Sequence, residues 1–218
     1  MTDLPILYSF RRCPYAMRGR MAIAVSDIPV RLREILLRDK PDEMIEASPK
    51  GTVPVIVLSD RVIDESIDVM HWALEQNDPE GWLAAQDTKD LIGENDGPFK
   101  HHLDRYKYST RYEDADAEEH RAEGFKFLQK LDAQLAGADY LYGASRTLAD
   151  IAIFPFVRQF RIADMEWFDA APIPNVQRWL KTLMESDLFK SVMDKYPLWK
   201  ETGEEFAFPN SRLDPESM

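Results

Sequence analysis

The sequence predicts an α/β domain of order β-α-β-α-β-β-α followed by an all-α helical bundle. Three observations predict it. Short apolar runs alternate with helical spacing over the first 76 residues, Pro and Gly interrupt the pattern at 77–86, and from 87 onward the apolar period is helical almost throughout. The expected domains are therefore residues 1–76, a linker at 77–86 and a helical domain at 87–218.

Pro5 to Phe10 is apolar and aromatic and reads as a buried strand. Pro14 suits a first helical turn, and Met17, Met21, Ala24 and Ile28 then recur at helical spacing, predicting a helix over 14–26 closed by Asp27 and Pro29. Val30 to Leu37 reads as a second strand. Strand, helix and strand within about 35 residues is the size of a βαβ unit with parallel strands. Pro41 to Ala47 reads as one or two helical turns. Val55 to Leu58 and Arg61 to Asp64 read as a hairpin around Ser59-Asp60, and Ser66 opens a helix with Ile67, Met70 and Leu74 on one face.

In the second part, Phe125, Leu128, Leu131 and Leu135 share a face, with Gly137 as a stop. Thr147-Leu148-Ala149-Asp150 reads as a capping box with Asp in place of Glu. Ile151 to Phe154 is apolar nearly all round, which places that helix at the centre of a bundle. Asn175 to Met184 is a further helix. The acidic run Glu113 to Glu119 reads as a solvated loop or helix start, and the tail after Trp199 as loosely packed.

Composition excludes several functions. The 218 residues carry a formal net charge of −12, which repels a phosphate backbone, so no nucleic-acid partner is expected. No stretch approaches the ~20 apolar residues of a membrane helix, and the start lacks a basic region followed by a long apolar run. With a single cysteine, Cys13, no internal disulfide can form and a four-cysteine zinc site is excluded. A free thiol of this kind fits a reducing, cytoplasmic location.

A lone cysteine is by default a small buried hydrophobe. Cys13, however, stands where a strand ends and a helix begins, and Arg11, Arg12, Arg18 and Arg20 surround it in sequence. Helix N–H groups and positive charge both favour thiolate. A thiol of pKa ~8.5 is about 3% ionised at pH 7, and one of ~6.5 about 75%, roughly a 25-fold gain in nucleophile. Thr52-Val53-Pro54 precedes a strand, where a cis proline would leave the Val53 N–H and C=O free to pair with an extended peptide. Asp64-Glu65-Ser66 precedes a helix. Ser66 can cap that helix or, with the first backbone N–H groups, hold a carboxylate, and Glu65 offers an acceptor for an ammonium group.

These residues carry a resemblance. Leu7 to Leu74 is similar to the N-terminal domain of cytosolic glutathione transferases, through RRCPYAMRGRMAI, ILLRDKPDEMIEASPKGTVPVIVL and DESIDVMHWAL. Within that superfamily it resembles most the cysteine-type, omega-like members and the glutaredoxin that carries a transferase-like helical domain. The Thr147 to Ile151 segment resembles the capping box of the buried helix in the C-terminal domain. The resemblance implies a thioredoxin-like first domain. It implies that Cys13 forms a mixed disulfide with glutathione, that Val53 pairs its backbone with the cysteinyl part beside a cis Pro54, that Glu65 and Ser66 bind the γ-glutamyl end, and that Lys40 approaches the glycine carboxylate.

Ala16 stands where a dithiol glutaredoxin keeps a second cysteine, so only a monothiol cycle is open. The implied activity is glutathione-dependent thiol transfer or reduction, of the dehydroascorbate-reductase type. The alternatives are conjugation of glutathione to small electrophiles, using a hydroxyl such as Tyr8 or Ser9 on the first strand, and a non-catalytic binding protein. Glutathione is expected as co-substrate, a small oxidised or electrophilic molecule as second substrate, and a homodimer as the assembly. The second substrate is expected near the first long helix after the linker, which includes Phe99, Tyr106 and Tyr108. No metal is expected: adjacent imidazoles at His101-His102 point about 100° apart on a helix, and the pair reads as exposed.

Overall fold

The computed structural model describes residues 4–209. The chain divides into two compact units. One takes the chain up to Glu80 and resumes at Ser186, and the other is Gly81–Glu185.

The first unit contains β1 (Ile6–Ser9), α1 (Pro14–Ser26), β2 (Val30–Glu34), α2 (Asp42–Ala47), β3 (Val55–Val57), β4 (Val62–Ile63) and α3 (Ser66–Leu74), the expected β-α-β-α-β-β-α order. β1 and β2 run parallel, from Ile6 opposite Arg31 to Ser9 opposite Glu34. β3 is antiparallel to β1, with Tyr8 opposite Val55, and β4 is antiparallel to β3. Leu7, Val30, Leu32 and Ile56 are buried on the sheet, as apolar strand residues must be. α1 closes at Asp27, which takes the left-handed conformation and donates its N–H to the Ala24 and Ile23 carbonyls. α1 packs on α3. Gly19 allows their close approach, because a Cβ there would stand 3.2 Å from Val69 Cγ1 and 3.3 Å from Pro54 Cγ.

The second unit contains α4 (Thr88–Glu94), α5 (Lys100–Lys107), α6 (Ala117–Gln134), α7 (Leu148–Ala163), α8 (Met165–Ala170) and α9 (Pro174–Glu185). A wide helical turn, Asn95–Phe99, joins α4 to α5, so the expected long helix is interrupted where Pro98 has no N–H to give the ladder. α7 is buried on every face from Leu148 to Val157 and forms the centre of this unit. The capping box forms as expected, with Thr147 and Asp150 satisfying each other's ends. Asp150 is fully buried and also accepts from the Leu141 N–H and the Trp179 indole. Burial raises its pKa against the pull of those donors. Phe99 stacks on Phe160 and meets Phe127 at a tilt, and Tyr106 packs on Phe160, so these aromatics are core. The acidic run is a loop and helix start, where Asp116 caps α6 through the Glu118 and Glu119 N–H groups.

Four expectations are corrected. The second strand ends at Glu34 rather than Leu37, because the chain turns back on itself where Leu36 bridges Asp39. The 77–86 segment is not a bare linker: a helical turn at Trp82–Ala84 buries the Trp82 side chain completely. The second unit ends at Glu185, so a helical domain at 87–218 overreaches. From Ser186 the chain belongs to the first unit, through α10 (Asp187–Ser191), α11 (Trp199–Thr202) and β5 (Phe206–Phe208). Nor is the tail loose as far as Phe208. β5 pairs antiparallel with β2, completing a sheet of order β4-β3-β1-β2-β5, and Glu205 bridges Arg31 and Arg33 beside it. The expectation for 210–218 lies outside the described residues. Among the described residues no helix is long and apolar enough to cross a membrane.

Candidate functional site

Cys13 is the residue immediately before α1. The turn from β1 is set by its N–H, which donates to the Phe10 carbonyl at 3.0 Å, and its own carbonyl accepts from Met17 N–H in the first helical turn. The side chain is partly exposed and packs against the cluster of Tyr8, Ile35, Met44 and Val53. Its Sγ lies 3.8 Å from the Val53 carbonyl oxygen, as a weak thiol donor. Val53-Pro54 is a cis peptide bond leading into β3. Cys13, Val53 and Pro54, 40 residues apart in the chain, are therefore brought together at one end of the sheet.

Ser66 is buried at the first position of α3, and Glu65 precedes it. Ser66 does not cap its helix, as one sequence reading had it. Its hydroxyl accepts from Arg18 Nη1 of α1 at 3.2 Å, a contact across two elements that local spacing cannot show. Arg18 itself is completely buried, with its guanidinium 5.3 Å from the centre of the Tyr15 ring. Glu65 already holds an ammonium. Lys50 lies 2.7 Å from Glu65 Oε1 and 3.0 Å from Asp64 Oδ1. Asp64 also accepts from Ser48 Oγ, and that bond together with Lys50 holds its carboxyl below the ordinary range. Lys40 is half-buried with its stem beside Gly51, two residues before Val53, and its carbonyl accepts from Lys200.

Sequence reasoning treated Arg20 only as nearby positive charge. It is fully buried, and its guanidinium donates to the Phe10 carbonyl at 3.3 Å, the Arg11 carbonyl at 2.7 Å, the Ser9 hydroxyl and the Val192 carbonyl at 3.0 Å. Arg20 thus grips the turn that carries Cys13. Burial lowers its pKa to about 10, while the charges of Glu34 and Cys13 pull it up. Glu34 is buried in turn, raised by desolvation, and accepts the Arg11 N–H at 2.7 Å. The signal for this role was an arginine inside the apolar face of a helix.

The first-strand hydroxyls are both engaged. Ser9 is buried and bonded to Arg20, and Tyr8 is buried with its hydroxyl accepting from Arg33 Nη1 at 2.6 Å. Desolvation raises the Tyr8 pKa, against the pull of Arg33.

The profile of the glutathione S-transferase N-terminal domain matches residues 7–82, and that of the glutathione S-transferase C-terminal domain matches residues 114–182. A probable glutathione S-transferase, parA of Nicotiana tabacum, is 25% identical over 190 residues, covering 84% of this chain and 86% of the tobacco protein. A probable glutathione transferase of Aplysia californica is 33% identical over 92 residues, 42% of this chain and 97% of that protein. The probable glutathione S-transferase DHAR2 of Oryza sativa is 25% identical over 182 residues, 81% of this chain, which spans 64% of the rice protein. Among solved structures, a glutathione transferase family member from Pseudomonas fluorescens, crystallised with two glutathione bound, superposes with a TM-score of 0.76 at 18% identity, over 88% of this chain and 93% of that one.

Proposed function

Because the chain belongs to the glutathione S-transferase family, we propose that it is a glutathione-dependent thiol transferase in which Cys13 is the nucleophile. The observation that carries the reading is the partly exposed Cys13 sulfur at the head of α1, set against the Val53 carbonyl beside cis Pro54. Both hydroxyls that could activate glutathione instead are buried and already bonded. The rice relative named DHAR2 favours the same chemistry.

The cycle needs only one thiol. The Cys13 thiolate attacks the glutathionyl sulfur of a mixed disulfide, the S–S bond breaks, and the second substrate leaves as a thiolate that takes a proton. A second glutathione thiolate then attacks the Cys13–glutathione disulfide, releasing oxidised glutathione and restoring Cys13. Bound glutathione presents its cysteinyl N–H to the Val53 carbonyl, taking the acceptor that the Cys13 thiol uses in the free protein. That exchange favours ionisation. Ser66 and the α3 N-terminus receive the γ-glutamyl carboxylate, Glu65 its ammonium in place of Lys50, and Lys40 the glycine carboxylate. The second substrate is a small oxidised molecule, and a cytoplasmic homodimer is the setting we assign.

Incubation with oxidised glutathione tests this directly. Mass spectrometry is expected to find one glutathione per chain, on the Cys13 peptide, removed by excess reduced glutathione. A folded protein that takes no adduct overturns the reading.

Arg20 gives a second test. Arg20→Met removes a buried positive charge that acts on Cys13 and frees the carbonyls of the turn. The midpoint of the pH profile of Cys13 alkylation is expected to rise by about one pH unit. Arg20→Lys, which keeps the charge but not the fork, is expected to recover part of that shift.

A further inference from the structure

Three of the four histidines meet at one place in the second unit. His101 and His102 lie on α5, and His120 lies in the first turns of α6, which packs against α5. One nitrogen from each ring lies within 4.8 Å of one from each of the others. His102 Nδ1 and His120 Nδ1 are 2.9 Å apart, and the ring centres are 5.1–5.8 Å from one another. A tetrahedral zinc ion bonded at ~2.05 Å holds its nitrogens about 3.3 Å apart. The closest pair stands about 0.4 Å inside ligand spacing and the widest gap, at most 4.8 Å, lies outside it, so the rings must adjust to take an ion.

Adjacent histidines on one helix diverge, which is why His101-His102 alone argued against a shared ion. The third ring comes from a different helix and supplies the convergence. Glu123, one turn along α6 from His120, is near enough for both His102 and His120 to act on its carboxylate, after the Lys126 ammonium that holds it more strongly. Arg105 stands on the other side, with Nη1 2.9 Å from His101 Nδ1 and its guanidinium over the Tyr112 ring. That contact leaves His101 Nε2 to ligate, or must open if Nδ1 does. Neutral imidazole donors in such a set suit Zn²⁺ and its neighbours in the late first row, not Mg²⁺ or Ca²⁺.

We propose that His101, His102 and His120 form a binding site for a divalent late transition-metal ion, zinc foremost, that ties α5 to α6. The site does not include Cys13, which belongs to the first unit, and stands whether or not thiol transfer does.

The test uses full-length, tag-free protein carrying Cys13→Ser, so that the thiol cannot compete as a ligand. Calorimetric titration with Zn²⁺ at neutral pH is expected to show one ion per chain. His102→Gln and His120→Gln, on different helices, are each expected to weaken binding about tenfold or more. Saturating Zn²⁺ is expected to raise Tm by roughly 5 °C in the parent but not in either variant. The metal-free Tm of each variant shows that it still folds, and either variant alone suffices. Absence of saturable binding, or equal affinity in a folded variant, overturns the site and leaves a hydrogen-bonded histidine pair as packing.

Discussion

Cys13→Ser is expected to lower kcat/KM for reduction of a glutathione mixed disulfide by about a thousandfold or more. The replacement is nearly isosteric and keeps the turn, since the bonds that set it run through the backbone N–H and carbonyl of residue 13. What is lost is the ionisable sulfur. A serine hydroxyl does not ionise near pH 7 and forms no disulfide, so neither half of the exchange cycle can proceed. The contacts assigned to glutathione lie on Val53, Glu65, Ser66 and Lys40 and remain, so the Kd for reduced glutathione is expected to change by no more than about threefold. Steady-state turnover of hydroxyethyl disulfide and calorimetric binding of reduced glutathione measure the two quantities. Full turnover in the serine variant would sink the mechanism. High activity toward chloronitrobenzene electrophiles, indifferent to Cys13, would favour conjugation.

Asp150→Ala is expected to cost about 4 kcal/mol of stability and about 10 °C of Tm. The carboxylate is inaccessible to solvent and accepts from four donors: Leu141 N–H at 2.9 Å, Trp179 Nε1–H at 2.8 Å, and Thr147 N–H and Oγ1–H at 2.8 Å each. Alanine strands three N–H groups at the head of the central helix and leaves a void where the carboxyl stood. Only the threonine hydroxyl can turn to another acceptor. Asp150→Asn keeps the shape but turns one oxygen into a donor facing donors, and is expected to cost about half as much. Trp179→Phe removes a single donor at about 1 kcal/mol. The two sites touch, so a double-mutant cycle is expected to show a coupling of 0.5 kcal/mol or more, roughly. Urea unfolding of the parent, the three single variants and the double variant measures all of these.

The parts of the fold that were legible in the sequence are those coded within one element or at its ends. The helix over 14–26, the Thr147–Asp150 box and the change of period after residue 76 each rest on residues a few positions apart. The position of Cys13 at a strand–helix junction is of this kind too. What escaped depends on contacts between elements distant in the chain. Ser66 reads as a cap from its neighbours, yet its hydroxyl is taken by Arg18, 48 residues earlier. Arg18 and Arg20 read only as positive charge near a thiol, and they prove to be among the most buried side chains of the first unit. His120 offered no local reason to be grouped with His101 and His102. Phe206-Ala207-Phe208 is too short for a period to show, and its partner strand lies more than 170 residues upstream.

That last pairing bears on how the molecule is made. Protein synthesis runs from the N-terminus, and an α/β domain at the front of a chain ordinarily folds while the rest is still being added. Here the edge of β2 stays uncovered until Phe208 has left the ribosome, and the Arg20 guanidinium lacks its Val192 acceptor until nearly as late. The helical stretch Gly81–Glu185 is complete sooner, although it is translated second. A chain truncated near residue 185 should therefore hold all of the helical part and an α/β part still lacking its final strand.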